Sequence, residues 1–441
     1  MNLEPYRIKV VERIKPTTIE ERKTILQAAG YNPFLIPAKK VFIDLISDSG
    51  TSALSSEQWA VMVAADEAFA VQDSYDVFIK KVKDLTGFKY IFPIHQARAG
   101  EHIIFLNLMK PGLKAIANTF FETTRENIHL LGGGTVDLPD QDRLFPGNLN
   151  AERLKTILKT DKVGFVLLTV TSNRNGGQPV SLENVRAVQS LARRYKIPLV
   201  IDGCRFAENA YFIKEREAGY KNKPLTAIAK ELFSCADIAY FSAKKDGLSN
   251  AGGFIGTNNK TLAGKIRDLI MLFEGFFTHG GLAGRDLAAV AQGLDEVMDE
   301  SYLKFRIEQV RFLGNALAQA GVPVKKPFGG HAVCVRAEAF ASAVKEFAGF
   351  SLANAVYLEG GVRGGVFGGT LGLGPETFRL AIPRRVYTNS QLEYTAGVVR
   401  ACTTRKLKPL KLVSAPEHLK TFTAQFTPLE NTIRKHYLKG R

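Results

Sequence analysis

From residue 89 to residue 245 the chain alternates short β-type runs with helical periods, and each run gives way to polar residues. This feature limits the fold more than any other. Neighbouring parallel strands need a crossover, and the helix that supplies it covers a sheet face, so the alternation predicts an α/β chain with a mostly parallel sheet. Lys89–Ile94 reads as one strand, followed by His95-Gln96-Ala97-Arg98 and a helical stretch through Met109. Val163–Thr171 reads as a second, ending in the turn Ser172–Gly177. A helix is predicted after Ser181, where Leu182, Val185, Val188 and Leu191 recur on one face. Pro198–Ile201 is the next strand and stops at Asp202; Asp237–Phe241 runs into Ser242-Ala243-Lys244-Lys245. In such sheets ligands gather beyond the carboxyl ends of the strands.

Near residue 310 the pattern changes to helix, strand, helix and strand, with a glycine-rich stretch between Gly360 and Gly374. A chain of 441 residues can bury one large core and a smaller one. The expected division is an N-terminal arm and part of a small domain over residues 1–50, a large domain over 51–310, and the rest of the small domain over 311–441. No apolar run approaches the ~20 residues of a membrane span, and the first residues lack the apolar stretch of a signal peptide. Cys204, Cys235, Cys334 and Cys402 are scattered without metal-ligand spacing, which favours a reducing cytoplasm. The net charge is +16, and residues 384–441 carry 12 lysines and arginines against 3 acidic residues. Charge alone is weak evidence for nucleic acid, and no nucleic-acid motif or aromatic interleaving accompanies it. Neither a nucleic-acid nor a membrane partner is expected.

Four polar groups stand at predicted strand ends, where a parallel sheet would gather them: Arg98, Asn173, Asp202 and Lys245. Arg98 lies at a strand-to-helix junction, where helix N–H groups favour a phosphate. A pyridoxal site needs an amine for the aldehyde, a carboxylate to keep the pyridine nitrogen protonated, a phosphate cradle and a polar partner for the ring oxygen. Phe120 or Phe121 is available to stack on the ring. A nucleotide-binding α/β enzyme is the alternative, although neither a GxGxxG nor a Walker loop is present.

These residues stand in blocks that resemble the tyrosine phenol-lyase and tryptophanase family of β-eliminating lyases. The blocks include NPFLIPAKKVFIDLISDSGT, IFPIHQARAGEHI, NGGQPVSLENVRAV, IDGCRFAENAYFIKEREAGY, FSAKKDGLSNAGGF, HGGLAGRD, GGHAV, FRLAIPRRVYT and FTAQF, and they cover nearly the whole chain. The resemblance implies the aspartate-aminotransferase-like fold (fold type I), pyridoxal 5'-phosphate as cofactor, an L-amino acid as substrate, and a homo-oligomer of catalytic dimers, usually a tetramer. Position by position it makes Lys245 the Schiff-base lysine and proton-transfer base, with Lys244 beside it near the cation site. It pairs Asp202 with the pyridine nitrogen, sets Arg205 and Asn173 by the ring oxygen, and stacks Phe121 on the ring. Gln96, Ala97, Arg98 and Ser242 match the phosphate positions, with Ala97 standing where the family has glycine. Arg379 matches the arginine that grips the substrate α-carboxylate, as the planar guanidinium fork suits. Ser49 falls among the substrate-binding positions, and Gly50, Glu67 and Asn250 match a monovalent-cation site that takes potassium.

The likeness breaks on the leaving-group side. The family tyrosine that protonates the leaving carbon is Phe69 here, which has no donor. The phenol-reading arginine falls at about Phe367, and a family phenylalanine beside the substrate ring becomes Thr421. Arg174 and Asn175 replace smaller or apolar residues, and His279 stands in place of a tyrosine as a candidate substitute donor. The expected activity is therefore α,β-elimination from an L-amino acid other than tyrosine or tryptophan. Transamination or β-replacement on the same scaffold is the second reading. A basic scaffold without catalysis is the third, and the presence of Lys245, Asp202, Arg98 and Arg379 argues against it.

Overall fold

In the computed structural model, which describes residues 3–429, the strand β1 (Ile43–Leu45) joins a small sheet and the next seven strands form a large one. These seven are β2 (Tyr90–Ile94), β3 (Lys114–Ala117), β4 (Gly134–Asp137), β5 (Val163–Thr169), β6 (Leu199–Asp202), β7 (Ile238–Ser242) and β8 (Gly253–Thr257). Their order is β2-β8-β7-β6-β5-β3-β4, and every pairing is parallel except those of β8. The central strands are buried on both faces, as parallel sheets require, so they read as unbroken apolar runs. Along β5, Phe165 and Leu167 enter one core while Val166 and Leu168 enter the other. Val170 and Thr171, expected in this strand, lie beyond its end.

The predicted helix after Ser181 is present as Leu182–Arg194; the Ser181 hydroxyl accepts from the Asn184 N–H, and Leu182, Val185 and Val188 are fully buried. The helix after β2 spans Ala97–Leu108.

The small sheet has the order β1-β10-β11-β9, with β9 (Ala332–Arg336), β10 (Val362–Phe367) and β11 (Thr377–Ala381). β1 pairs parallel to β10, which draws the N-terminal segment into the C-terminal sheet. The change of pattern near residue 310 falls inside one unbroken helix, Glu300–Gln319. Its start packs Leu303 into the large core and its end packs Val310, Leu313 and Leu317 into the small one. A helix shared in this way ties the two cores together. Part of the basic C-terminal run, residues 430–441, lies outside the described residues. No described helix is long and apolar enough to cross a membrane.

Candidate active site

The strand ends converge as the parallel register requires. Thr169 of β5 is level with Asp202 of β6, and Asp202 is level with Tyr240 of β7, two residues before Ser242. The turn after β7 then carries Lys244 and Lys245, with the Lys245 N–H donating to the Ser242 carbonyl at 3.2 Å. One Asp202 oxygen accepts from the Cys204 N–H at 3.0 Å. The negative field of Asp202 and the positive field of Lys245 both reach the buried Glu101 carboxyl.

Gln96 is the N-cap of the helix Ala97–Leu108, yet its side chain caps no N–H; its Oε1 accepts from the Lys244 amine at 3.4 Å. The helix therefore begins with uncapped N–H groups at Ala97 and Arg98 beside two lysines. Burial, then repulsion from Lys245 and Arg98, pulls the Lys244 amine below its usual range. Among the described residues none of these three cations has an ion-pair partner. Three clustered cations at a free helix N-terminus fit a phosphate dianion, and the amine and carboxylate beside them fit an aldehyde and a pyridinium. The residues present thus fit pyridoxal phosphate.

Phe121, half-buried, is the ring available for stacking, because Phe120 is wholly buried in the core under Arg125. Arg205 has less freedom than expected beside the ring oxygen: its Nε and Nη2 donate to Asp48 at 3.0 and 2.7 Å. Burial would raise the Asp48 carboxyl, but Arg205, His331 and Arg384 hold it well below the usual range.

On the substrate side the structure brings Arg379 and Asn173 together, with Nη1 donating to Oδ1 at 3.1 Å. The Arg379 guanidinium lies over Phe367 at 4.1 Å, and Phe34, Phe121 and Phe422 surround that ring at 6.1–6.4 Å. Thr421 is buried and its carbonyl accepts from Asn32, so the aromatic neighbour at this end is Phe422. Ser49 is half-buried in the turn after Asp48. Glu122 and Arg174 form a loose pair at 3.7 Å, and both Glu122 oxygens are buried without a hydrogen bond. Glu122 is near enough to Arg379 for its field to oppose the lowering that burial imposes on that guanidinium. Glu122 and Phe422 escaped the sequence reading because each lies beside, rather than on, a position singled out by the resemblance, and Phe34 because nothing in its block NPFLIPAKKVFIDLISDSGT marks it.

Phe69 and His279 lie in a separate group. Phe69 is 77% exposed, and its ring meets Phe276 at 5.8 Å and His279 at 5.6 Å. Both His279 nitrogens face backbone N–H groups, Nε2 that of Phe276 at 3.2 Å and Nδ1 that of Gly281 at 2.9 Å. Burial lowers its pKa. A neutral imidazole can accept from one of these N–H groups and an imidazolium from neither, so the geometry favours the neutral ring and gives the expected substitute proton donor no support. The cation positions are only partly joined: the Asn250 amide donates to the Gly50 carbonyl at 3.0 Å, while Glu67 faces Arg285 at 3.5 Å.

A mostly parallel sheet with a lysine turn, an aspartate and a cationic helix start at its strand ends defines a pyridoxal-phosphate enzyme of fold type I. Solved structures agree on the fold. A serine palmitoyltransferase from Sphingomonas wittichii superposes with a TM-score of 0.62 over 87% of this chain and 95% of its own, at 12% identity. A SepCysS–SepCysE N-terminal domain complex gives 0.57 over 83% and 95%, at 14% identity. The β-eliminating lyase family model matches residues 44–397, and the chain belongs to that family. It is 45% identical to a tryptophanase of Salinibacter ruber, over 99% of this chain and 98% of the relative. It is 41% identical to a tyrosine phenol-lyase of Symbiobacterium thermophilum, over 97% and 98%. The chain is accordingly a pyridoxal-phosphate-dependent β-eliminating lyase.

Proposed function

We propose that this lyase releases the β-substituent of an L-amino acid, with pyruvate and ammonia, and that the substituent departs as a stabilised anion such as a thiolate rather than as phenol or indole. The observation that carries this reading is the lack of an acidic group in the Phe69–His279 pair: phenylalanine has no donor, and the N–H groups facing both imidazole nitrogens disfavour the imidazolium. An aryl carbanion is too basic to leave without a proton, whereas a thiolate departs unaided. The half-buried Glu122–Arg174 pair, with Glu122 within electrostatic reach of Arg379, further supports a polar β-substituent over a bare aromatic ring.

In this reading Arg379 and Asn173 hold the α-carboxylate, and Ser49, Phe367 and Thr421 border the substrate. Gln96, Ala97, Arg98 and Ser242 hold the phosphate, Phe121 covers the ring, and Asn173 and Arg205 face its oxygen. Asp202 keeps the pyridine nitrogen protonated. When bound, pyridoxal phosphate supplies the electron sink for the α-carbon. The Lys245 amine would hold it, and the same amine would take the substrate α-proton. The Cβ–substituent bond then breaks with its electron pair leaving on the substituent.

Steady-state rates on S-methylcysteine, tyrosine and tryptophan, for wild type, Phe69→Tyr and His279→Phe, test the reading. Turnover of S-methylcysteine should exceed that of either aromatic substrate by at least the ~10²–10⁴ that a general acid contributes, and His279→Phe should leave the ranking intact. Efficient tyrosine or tryptophan cleavage by the wild type would refute it.

The adjacency of Gly50 and Asn250 supports a potassium site completed by Glu67, with Lys244 nearby. Trp59 and Val63 on the helix Ser56–Ala64, with Phe69 and Val71 beyond it, are exposed apolar side chains that support a homo-oligomer. Four free, buried cysteines accord with a cytoplasmic setting.

A further inference from the structure

Three arginines and three carboxylates, Arg205, Arg306, Arg384, Asp48, Glu208 and Asp246, are buried together where the two cores meet. Arg384 is the hub. Its Nη1 donates to Asp48 Oδ2 at 2.9 Å, and its Nη2 donates to Glu208 Oε1 and Asp246 Oδ1, both at 2.8 Å. Arg306 donates to Glu208 Oε1 at 3.1 Å and to the Ile382 carbonyl at 2.6 Å. Asp48 in turn takes Arg205.

Such a cluster is a poor source of stability. Desolvating a charge costs several kcal/mol, and well-packed apolar side chains of similar volume serve as well or better. What charged hydrogen bonds add is directional register, and here they register three segments. Asp48 belongs to the N-terminal segment. Asp246 directly follows Lys245, and its Oδ2 accepts from the Ala207 and Glu208 N–H groups at the start of the helix Phe206–Arg216, where the helix dipole favours a carboxylate. Arg384 lies just beyond β11, the strand that carries Arg379, and Arg306 pins Ile382 between them.

We propose that the Asp246–Arg384 pair is a positioning bridge that sets the spacing between the Lys245 amine and the Arg379 guanidinium, and so places the substrate α-proton at the amine. The proposal rests on the roles given above to Lys245 and Arg379. Neither bridge residue touches substrate in this account. Each acts through its neighbour in the chain, Asp246 through the lysine turn and Arg384 through the exit of β11. A misplacement of about 1 Å at a reacting group can cost ~10²-fold in rate. Losing the bridge should therefore slow proton removal while leaving the carboxylate grip intact.

The test uses holoenzyme and L-alanine, which has no leaving group but whose α-proton exchanges with D2O when the amine removes it. For Asp246→Asn and Arg384→Lys, the expected result is α-proton exchange and kcat on S-methylcysteine slowed about 10–100-fold. Borohydride-fixed cofactor should remain at the wild-type content and L-alanine affinity within about threefold, while the melting temperature falls because one partner is removed from a buried charge cluster. The double variant should be no worse than the poorer single one, since both break the same link. If Asp246→Asn folds poorly, Arg384→Lys, which keeps the charge but not the two-sided fork, still decides the matter. Exchange within about twofold of wild type in the folded variants would overturn the proposal, as would losses that track cofactor content. Lys245→Ala and Arg379→Lys serve as controls. If they retain exchange and carboxylate affinity, the underlying site assignment has failed and the bridge fails with it; if they lose them while the bridge variants do not, only the bridge has failed.

Discussion

Lys245 is a half-buried amine with no carboxylate paired to it among the described residues, and its charge, with that of Arg98, opposes the Lys244 ammonium beside it. A structural lysine in such a place would be a liability, whereas a lysine that gives up its charge to an aldehyde relieves it. Lys245→Ala should lose borohydride-trappable cofactor while Lys244→Ala keeps it; the reverse result would move the attachment to the neighbour. Glu101 offers a second residue-scale test. Thr124 and Tyr240 donate to its Oε1 at 2.7 and 2.8 Å, but burial and then the Asp202 charge push its carboxyl up from 4.5 to about 7. Between those pH values the unfolded chain has released the proton while the folded chain still holds it, so stability falls as pH rises through this window. Above it a constant penalty on the order of 1–3 kcal/mol remains. Glu101→Gln, which cannot ionise, should melt progressively higher than wild type as pH is raised from 5 to 7.5. A difference that did not grow with pH would contradict this assignment. Glu101 stands in the block IFPIHQARAGEHI, but nothing in the sequence says that this helix residue is buried within reach of the Asp202 charge.

At the scale of elements, the strands read from sequence were those with long apolar runs and polar ends, β2, β5, β6 and β7. β3 is Lys-Ala-Ile-Ala, and β8, Gly-Phe-Ile-Gly-Thr, has glycines where side chains would collide. Lys, Ala and Gly are depleted in strands, so neither run reads as β from its residues. The loop Phe276–Gly281 was legible only as a block of resemblance, yet its packing is strict. Gly280 has φ +54°, and a Cβ there would lie 1.9 Å from the Pro93 carbonyl oxygen of β2, immediately upstream of Gln96 and Arg98. Gly280→Ala should cost more than about 2 kcal/mol and weaken cofactor retention, as read by melting temperature and dialysis of the holoenzyme. A fully stable variant that retains its cofactor would mean that the loop can lift from β2 without disturbing the phosphate end.

For the whole molecule, the sequence pointed to a large core and a small one, but not to the way they are joined. The joint is made by the shared helix Glu300–Gln319, by β1 pairing with β10, and by the buried charges around Arg384. Long-range contacts of this kind leave no periodic trace along the chain. The proposed potassium site belongs to this scale too, since Gly50 and Asn250 come from distant segments; activity should rise when sodium is replaced by potassium at constant ionic strength, and indifference would count against the site. The central claim is that the chemistry is elimination. The most direct measurement is pyruvate and ammonia formed by the holoenzyme from S-methylcysteine with no keto acid present. Equal amounts of both, accumulating over many turnovers with the cofactor remaining in its aldehyde form, are predicted. Product limited to one equivalent per cofactor until a keto acid is added, with conversion to pyridoxamine phosphate, would contradict it.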